Sequence, residues 1–186
     1  MSIEIIPPKE RRPAVFLECE ALRQFAEGSA ASDARPALER VRAAGFMSIG
    51  IANRPDSYRG PEDHDDLAAS YTRLRESLGL DEIRACWHDP AKFCLCRMPG
   101  FKLLIDAASD HWLALGESYL VGISHAAIAA GYGLSVPTIL VADCTADEKP
   151  RPDVRASTLV EALEWIVERA NRSVPAYAGL KTQTGG

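Results

Sequence analysis

The stretch CWHDPAKFCLC, residues 86–96, contains three of the five cysteines and one of the four histidines in a chain of 186 residues. Its possible metal ligands are Cys86, His88, Cys94 and Cys96. Three thiolates and one imidazole form a closed tetrahedral zinc site, which leaves no coordination position for an activated water. The spacing therefore predicts a structural zinc ion that fixes this loop and contributes to folding. The alternative is that the cysteines are small buried hydrophobic residues beside a strand end.

Short apolar runs alternate with helical segments on both sides of this loop. The predicted strands, in chain order, are AVFL, FMSIGIAN, EIRACW, SYLVGIS and PTILVAD. Helices are predicted between them, the first beginning at Pro36 and stopping at Gly45, and the next running over 63–78. This alternation predicts an α/β fold with a mainly parallel sheet and helices on both faces. Ligands of such sheets bind beyond the carboxyl ends of the strands, here at ECE, AN, CWH and GIS.

The composition is that of an ordinary globular protein, with 47% hydrophobic and 25% charged residues. A net charge of -5 provides no overall field for nucleic acid or for an anionic membrane. The sequence shows no signal peptide and no transmembrane helix, and an odd number of clustered cysteines then indicates the cytoplasm. The predicted organisation is a leader over 1–12, one domain over 13–172 and a flexible tail over 173–186.

The zinc loop and its surroundings resemble a known family. The pattern C-x-H-x5-C-x-C-R-x-P is similar to the zinc loop of small phosphatases in the haloacid dehalogenase (HAD) superfamily, namely the histidinol phosphatases and the heptose 1,7-bisphosphate phosphatases. The family's four motifs correspond in order to AVFLECEAL, GFMSIGIAN, CRMPGFKLL and SYLVGISHAAIAAGYGL. The resemblance extends from about residue 13 to residue 145. It implies a Rossmann-like fold with little or no cap domain.

The resemblance also implies a chemistry, in which an aspartate attacks the phosphate and Mg²⁺ neutralises its charge. In the family, D-x-D supplies nucleophile and acid/base, a Ser/Thr and a lysine hold the phosphate, and G-D-x-x-x-D completes the magnesium shell. The corresponding residues of this chain are Glu18, Glu20, Ala52, Met98, Ile123 and Ala127. Each glutamate moves its carboxylate outward by roughly 1.5 Å, and displacements near 1 Å can cost about a hundredfold in rate. Isoleucine offers no oxygen to Mg²⁺.

The sequence is therefore interpreted as a HAD-like pseudophosphatase, a non-catalytic binding or scaffold protein with structural zinc and without Mg²⁺. Asn53, Arg97 and Lys102 remain as candidates for contact with a phosphorylated ligand. The alternative is a divergent Mg²⁺-dependent phosphatase acting on a small phosphorylated metabolite, such as histidinol phosphate or a sugar phosphate. A third interpretation is a zinc-stabilised structural subunit. The expected partner is an unknown protein or a small phosphorylated ligand, and neither nucleic acid nor a membrane.

Two further side chains near strand ends are candidate functional groups. Cys19 lies between Glu18 and Glu20, and the negative charge of its neighbours raises a thiol pKa and weakens it as a nucleophile. His125 follows GIS and could contact a ligand there, although a surface histidine at a helix start is the commoner case.

Overall fold

The structure is a computed structural model that describes residues 11–26, 31–53, 60, 63–89, 91–141 and 150–173. The first half contains β1 (Ala14–Glu18), α1 (Cys19–Ala26), α2 (Ala31–Ala43), β2 (Met47–Asn53), α3 (His64–Leu78) and β3 (Glu82–Cys86). The second half contains α4 (Lys102–His111), β4 (Tyr119–Gly122), α5 (His125–Gly133), β5 (Thr138–Val141), β6 (Val154–Ala156) and α6 (Leu159–Ser173). The alternation of strands and helices confirms the predicted α/β class.

The six strands form one parallel sheet in the order β3-β2-β1-β4-β5-β6. The chain returns to the middle of the sheet between β3 and β4, so the order reverses between β1 and β4. The carboxyl ends of adjacent strands diverge at such a switch point and leave room for a site. Glu18, Asn53, Cys86 and Gly122 end the four strands of this half of the sheet.

Apolar side chains cover both faces of the sheet, as the continuous hydrophobic runs of the strands require. In β1, Val15 and Leu17 join a core with residues of α1, α2, α3 and α6. Ala14 and Phe16 point to the opposite face and join a second core with residues of α4 and α5. One face is therefore covered by four helices and the other by two.

The structure differs from the sequence-based expectation at three places. The helix before β2 begins at Ala31, so Pro36 lies inside α2 and does not open it. Helix α1, which follows β1 directly, was not predicted. Strand β6 was not predicted, because three residues are too few to show an alternating pattern. In contrast, the predicted end of α3 is confirmed, with Gly79 in the left-handed conformation at φ 70°.

Most of the predicted leader and tail, residues 1–10 and 174–186, lies outside the described residues. Between Glu18 and Asn53, the described residues form α1, α2 and β2 with no inserted domain, in line with the expectation of little or no cap. None of the described helices has the length and hydropathy that a membrane crossing requires.

Candidate functional site

The four predicted zinc ligands converge directly after β3. Their ligand atoms all lie within 4.8 Å of one another. The Sγ atom of Cys86 is 3.2 Å from Sγ of Cys96 and 3.6 Å from Sγ of Cys94, and Nδ1 of His88 is 3.0 Å from Sγ of Cys96. A tetrahedron with Zn–S bonds of ~2.3 Å has edges of roughly 3.8 Å. The donor set and its spacing therefore fit a zinc ion, with Nδ1 as the nitrogen ligand.

The chain around the cluster turns sharply and has no helix or strand among its described residues from 87 to 100. Asp89 accepts a hydrogen bond from the backbone N–H of Ala91 at 2.9 Å, which forms a local turn. Gly100 lies so close to the carbonyl oxygen of Leu95 that any Cβ there would collide with it. Because this segment lacks regular structure, bound metal would supply much of its order.

The cluster thiols need to lose protons before they can bind a metal. Burial raises the pKa of the Cys86 thiol to about 12 in the metal-free protein, and the hydrogen bond with Cys96 contributes in the same direction. Zinc coordinates the thiolate form, so binding at neutral pH would release protons.

Asn53, at the end of β2, holds the zinc loop against the sheet. Its Oδ1 accepts from the backbone N–H of Met98 at 2.9 Å, and its Nδ2 donates to the carbonyl oxygen of Met98 at 3.3 Å. The side chain of Met98 is buried in the core beneath α4 and α5. These contacts give Asn53 and Met98 structural roles, and contact of Asn53 with a ligand stays a prediction.

The other two candidate ligand contacts also have partners within the protein. Arg97 donates through Nη2 to the carbonyl oxygen of His88 at 3.3 Å, across the zinc loop. Lys102 opens α4 and donates through Nζ to Asp106 at 2.7 Å, one helical turn further on. A phosphorylated ligand would have to compete with these contacts, and its binding by either residue stays a prediction.

Glu18 occupies the switch point between β1 and β4. Its carboxylate is buried and accepts three hydrogen bonds: Oε2 from the backbone N–H groups of Ile123 and Ser124, at 2.8 and 3.0 Å, and Oε1 from the Ser124 hydroxyl, at 2.6 Å. The Ser124 hydroxyl oxygen also accepts from the backbone N–H of Ala127 and caps α5. The negative charge therefore lies at the positive end of a helix.

The space around this carboxylate depends on small residues. A Cβ at position 122 would lie 2.8 Å from Oε2 of Glu18 and 2.6 Å from Cβ of Ala127, so only glycine fits there. The sequence interpretation noted the longer acid at position 18 and the alanine at 127, but missed that both lie against Gly122. The sequence did contain a hint of this arrangement: a glutamate replaces the family's shorter aspartate at position 18, and the residues at 122 and 127 are small.

The remaining substituted positions offer few ligands for a magnesium ion. Glu20 is exposed in the first turn of α1, Ala52 is buried in β2, and the Ile123 side chain packs against the larger core. In the part of the chain that the structure describes, the zinc cluster is the one grouping of three or more metal-binding side chains. Mg²⁺ commonly binds proteins through only one or two carboxylates and keeps several waters. The expectation that Mg²⁺ does not bind stays a prediction.

Cys19 is expected to be unreactive in the native protein. Burial raises its pKa to about 12, and the charges of Glu20 and Glu18 add to this while Arg23 opposes it. The thiol is therefore protonated at neutral pH, whereas alkylation needs the thiolate. Replacing Cys144, the fifth cysteine, with serine and loading the cluster with zinc leaves Cys19 as the one thiol that is not a proposed zinc ligand. In this protein, mass spectrometry should find Cys19 unlabelled by iodoacetamide until denaturant is added. Rapid native labelling would contradict this expectation and revive Cys19 as a nucleophile.

Comparison with known proteins places this architecture in a class. No protein-family model matches the chain. A crystal structure of a HAD-like protein from Mesorhizobium loti has a TM-score of 0.66 and 25% identity, over 91% of both chains. The D,D-heptose 1,7-bisphosphate phosphatase of B. bronchiseptica, solved with magnesium and phosphate, has a TM-score of 0.67 and 17% identity, over 84% of this chain and 99% of that one. The fold is that of the HAD superfamily.

Sequence relatives narrow the class further. The heptose 1,7-bisphosphate 7-phosphatase of Helicobacter pylori strain J99 is 27% identical over 69% of this chain and 78% of its own length. The corresponding protein of Thermosynechococcus vestitus is 27% identical over 83% of this chain and 95% of its own length. These matches confirm the resemblance to the HAD superfamily and to its heptose bisphosphate phosphatases.

Proposed function

We propose that this chain is a HAD-like protein that has kept the phosphatase fold and a structural zinc site but does not transfer phosphoryl groups, and that it acts by binding a ligand or a protein. Zinc would be held by Cys86, His88, Cys94 and Cys96. The observation that carries the proposal is the position of the Glu18 carboxylate, which accepts three hydrogen bonds from the start of α5.

A carboxylate nucleophile needs a free lone pair in line with the phosphorus atom. Both oxygens of Glu18 are committed to donors, and Oε2 accepts from two of them. Oε1 keeps one lone pair, but turning the carboxylate to aim it at a phosphorus atom would break the bonds that Oε2 accepts from the backbone N–H groups of Ile123 and Ser124. That cost would add to the barrier of every turnover.

Among the described residues, the position of the family's lysine supplies no positive charge for a phosphate. Met98, at the position of the family's lysine, is buried and uncharged, and Lys102 is paired with Asp106. Without that lysine or a well-held metal, less of the charge that develops in phosphoryl transfer would be neutralised. Both arguments come from the residues of this chain and support the loss of catalysis.

The named relatives favour a second candidate more than the first. They are heptose bisphosphate phosphatases, and the B. bronchiseptica structure contains magnesium and phosphate. The second candidate is therefore a divergent Mg²⁺-dependent phosphatase for a small phosphorylated metabolite, a sugar bisphosphate above all. Glu18 or Glu20 would supply its carboxylate, with Mg²⁺ held largely by water.

A phosphatase assay separates the two candidates. Zinc-loaded protein is incubated with Mg²⁺ and heptose 1,7-bisphosphate, histidinol phosphate or an aryl phosphate, beside the matched variants Glu18→Gln and Glu20→Gln. The first candidate predicts that phosphate release from the wild-type protein equals that from Glu18→Gln, because neither attacks the substrate. Mg²⁺-dependent turnover that either variant abolishes would establish the second candidate and reject the first.

A further inference from the structure

Exposed apolar side chains concentrate on one side of this protein. Among the described residues, the large hydrophobic side chains classed as exposed all lie in the zinc loop, on α4 or its flanking residues, and on α5. They are Phe93 (91% exposed), Leu95 (62%), Phe101 (37%), Ile105 (43%), Trp112 (48%) and Tyr132 (71%). These elements belong to the sheet face that two helices cover, whereas four helices cover the other face.

Several of these side chains form a stripe along α4. Phe101 at the N-cap, Ile105, the half-buried Ala108 and Trp112 at the C-cap follow one another at intervals of four, three and four residues. This is the spacing by which one helix packs lengthwise against another. Residues of α5 and of the zinc loop lie next to the N-terminal end of the stripe. The Phe101 ring lies 2.9 Å from the position of a Cβ on Gly133, the neighbour of Tyr132, and the backbone N–H of Lys102 donates to the carbonyl oxygen of Leu95 at 3.0 Å.

We call Leu95, Phe101, Ile105, Trp112 and Tyr132 the α4 patch. A large side chain offers about 200 Å² of surface, the middle of the range for aromatic residues. Multiplied by the exposed fractions of these five residues, this gives roughly 500 Å² of mainly apolar surface in total. A standard protein interface buries about 800 Å² on each partner, of which roughly 60% is apolar. The α4 patch thus supplies about the whole apolar share of one such interface.

The conformation and exposure of Trp112 indicate that the C-terminal end of the stripe does more than stabilise the fold. It ends α4 in the left-handed conformation, at φ 57° and ψ 53°, where glycine or asparagine is the usual residue. The backbone therefore disfavours tryptophan at this place. About half of the side chain is exposed, with the guanidinium of Arg11 5.1 Å from the ring centre. A half-exposed aromatic ring held against its backbone preference is suited to contact another surface.

We propose that the α4 patch is the two-fold interface of a homodimer, in which α4 packs antiparallel against α4 of a second copy. About the midpoint of the stripe, this pairing sets Phe101 against the partner's Trp112 and Ile105 against the partner's Ala108. A large side chain then faces a small one at the centre, as close helix packing requires. The antiparallel arrangement also brings Lys102 to the negative end of the partner's helix.

The proposal does not depend on Glu18 and holds whether or not the protein is a phosphatase. In sedimentation equilibrium, the zinc-loaded full-length chain should show twice its 20.2 kDa mass at micromolar concentration. Ile105→Glu should weaken dimerisation at least about a hundredfold, since it places an unpaired charge in the interface. The matched control is Ala69→Glu, at an exposed site of α3 beyond the opposite face, and it should leave the dimer unchanged.

A mixing experiment tests the antiparallel register directly. Ala108→Lys alone should also be monomeric, because the lysine would face the partner's Ile105. An equimolar mixture of Ile105→Glu and Ala108→Lys should form a heterodimer. In it, the glutamate of one chain faces the lysine of the other, and on the other side of the axis the native alanine faces the native isoleucine. A monomeric wild-type protein, a dimer indifferent to Ile105→Glu, or a mixture that stays monomeric would each overturn the proposal.

Discussion

Replacing Cys96 with serine is expected to release the metal and to lower the free energy of unfolding by at least about 3 kcal/mol. Cys96 is buried, and its Sγ lies 3.2 Å from Sγ of Cys86 and 3.0 Å from Nδ1 of His88. A serine hydroxyl is a poor zinc ligand, and zinc at a site of this kind contributes about 10–16 kcal/mol of apparent binding free energy. The described residues of the loop form no helix or strand that could keep it ordered without the metal.

Two measurements check the expectation for zinc. Elemental analysis should find about one zinc per wild-type chain and almost none in Cys96→Ser. Urea unfolding should show that a chelator destabilises the wild-type protein but leaves Cys96→Ser unchanged. Cys19→Ala is the control, since it removes a buried cysteine that is not a ligand and should keep the metal. The zinc assignment would be contradicted if the wild-type protein contained no zinc, or if a chelator left its free energy of unfolding unchanged.

The second large effect is expected at Glu18. Replacing it with alanine should lower the free energy of unfolding by about 3–5 kcal/mol. The change removes the acceptor of three hydrogen bonds and leaves the backbone N–H groups of Ile123 and Ser124 without their partner. It also opens a cavity at the junction of β1, β4 and α5, which adds to the cost.

Two further variants test whether the loss of stability comes from the hydrogen bonds of the Glu18 carboxylate or merely from removing a charge in this region. Glu18→Gln keeps one side-chain oxygen as an acceptor and should cost only about 1–2 kcal/mol. Glu20→Ala removes the same charge two residues away, at an exposed site, and should change stability by about 0.5 kcal/mol or less. Equal losses for Glu18→Ala and Glu20→Ala in urea unfolding would show that the hydrogen bonds at the switch point contribute nothing.

Features that depend on neighbouring residues could be predicted from the sequence. The zinc ligands lie within eleven residues, so their spacing restricts their geometry, and the structure brings their atoms together as expected. Five of the six strands could be predicted because buried parallel strands are continuous apolar runs. The end of α3 was predictable because Gly79 adopts a conformation that glycine adopts at little cost.

Features that depend on distant residues could not be predicted. The donors to Glu18 lie 105 and 106 residues further along the chain, and no local pattern links them. The start of α2 was misplaced because proline favours a first helical turn, and here the residues before Pro36 also form helix. The exposure of Ile105 on α4 could not be predicted either, because it depends on which residues of the helix the sheet leaves uncovered.

The position of the zinc loop has a consequence for the order in which the chain folds. Residues 87–118 connect β3, at one edge of the sheet, with β4 on the far side of β1. Parallel pairing of β1 with β4 joins residues 104 apart and is among the most distant contacts of the sheet. Closing that distance is slow, because chain entropy is lost before the pairing forms. An early metal-bound turn would shorten the free part of this crossover, so we expect zinc to accelerate refolding as well as to stabilise the folded protein.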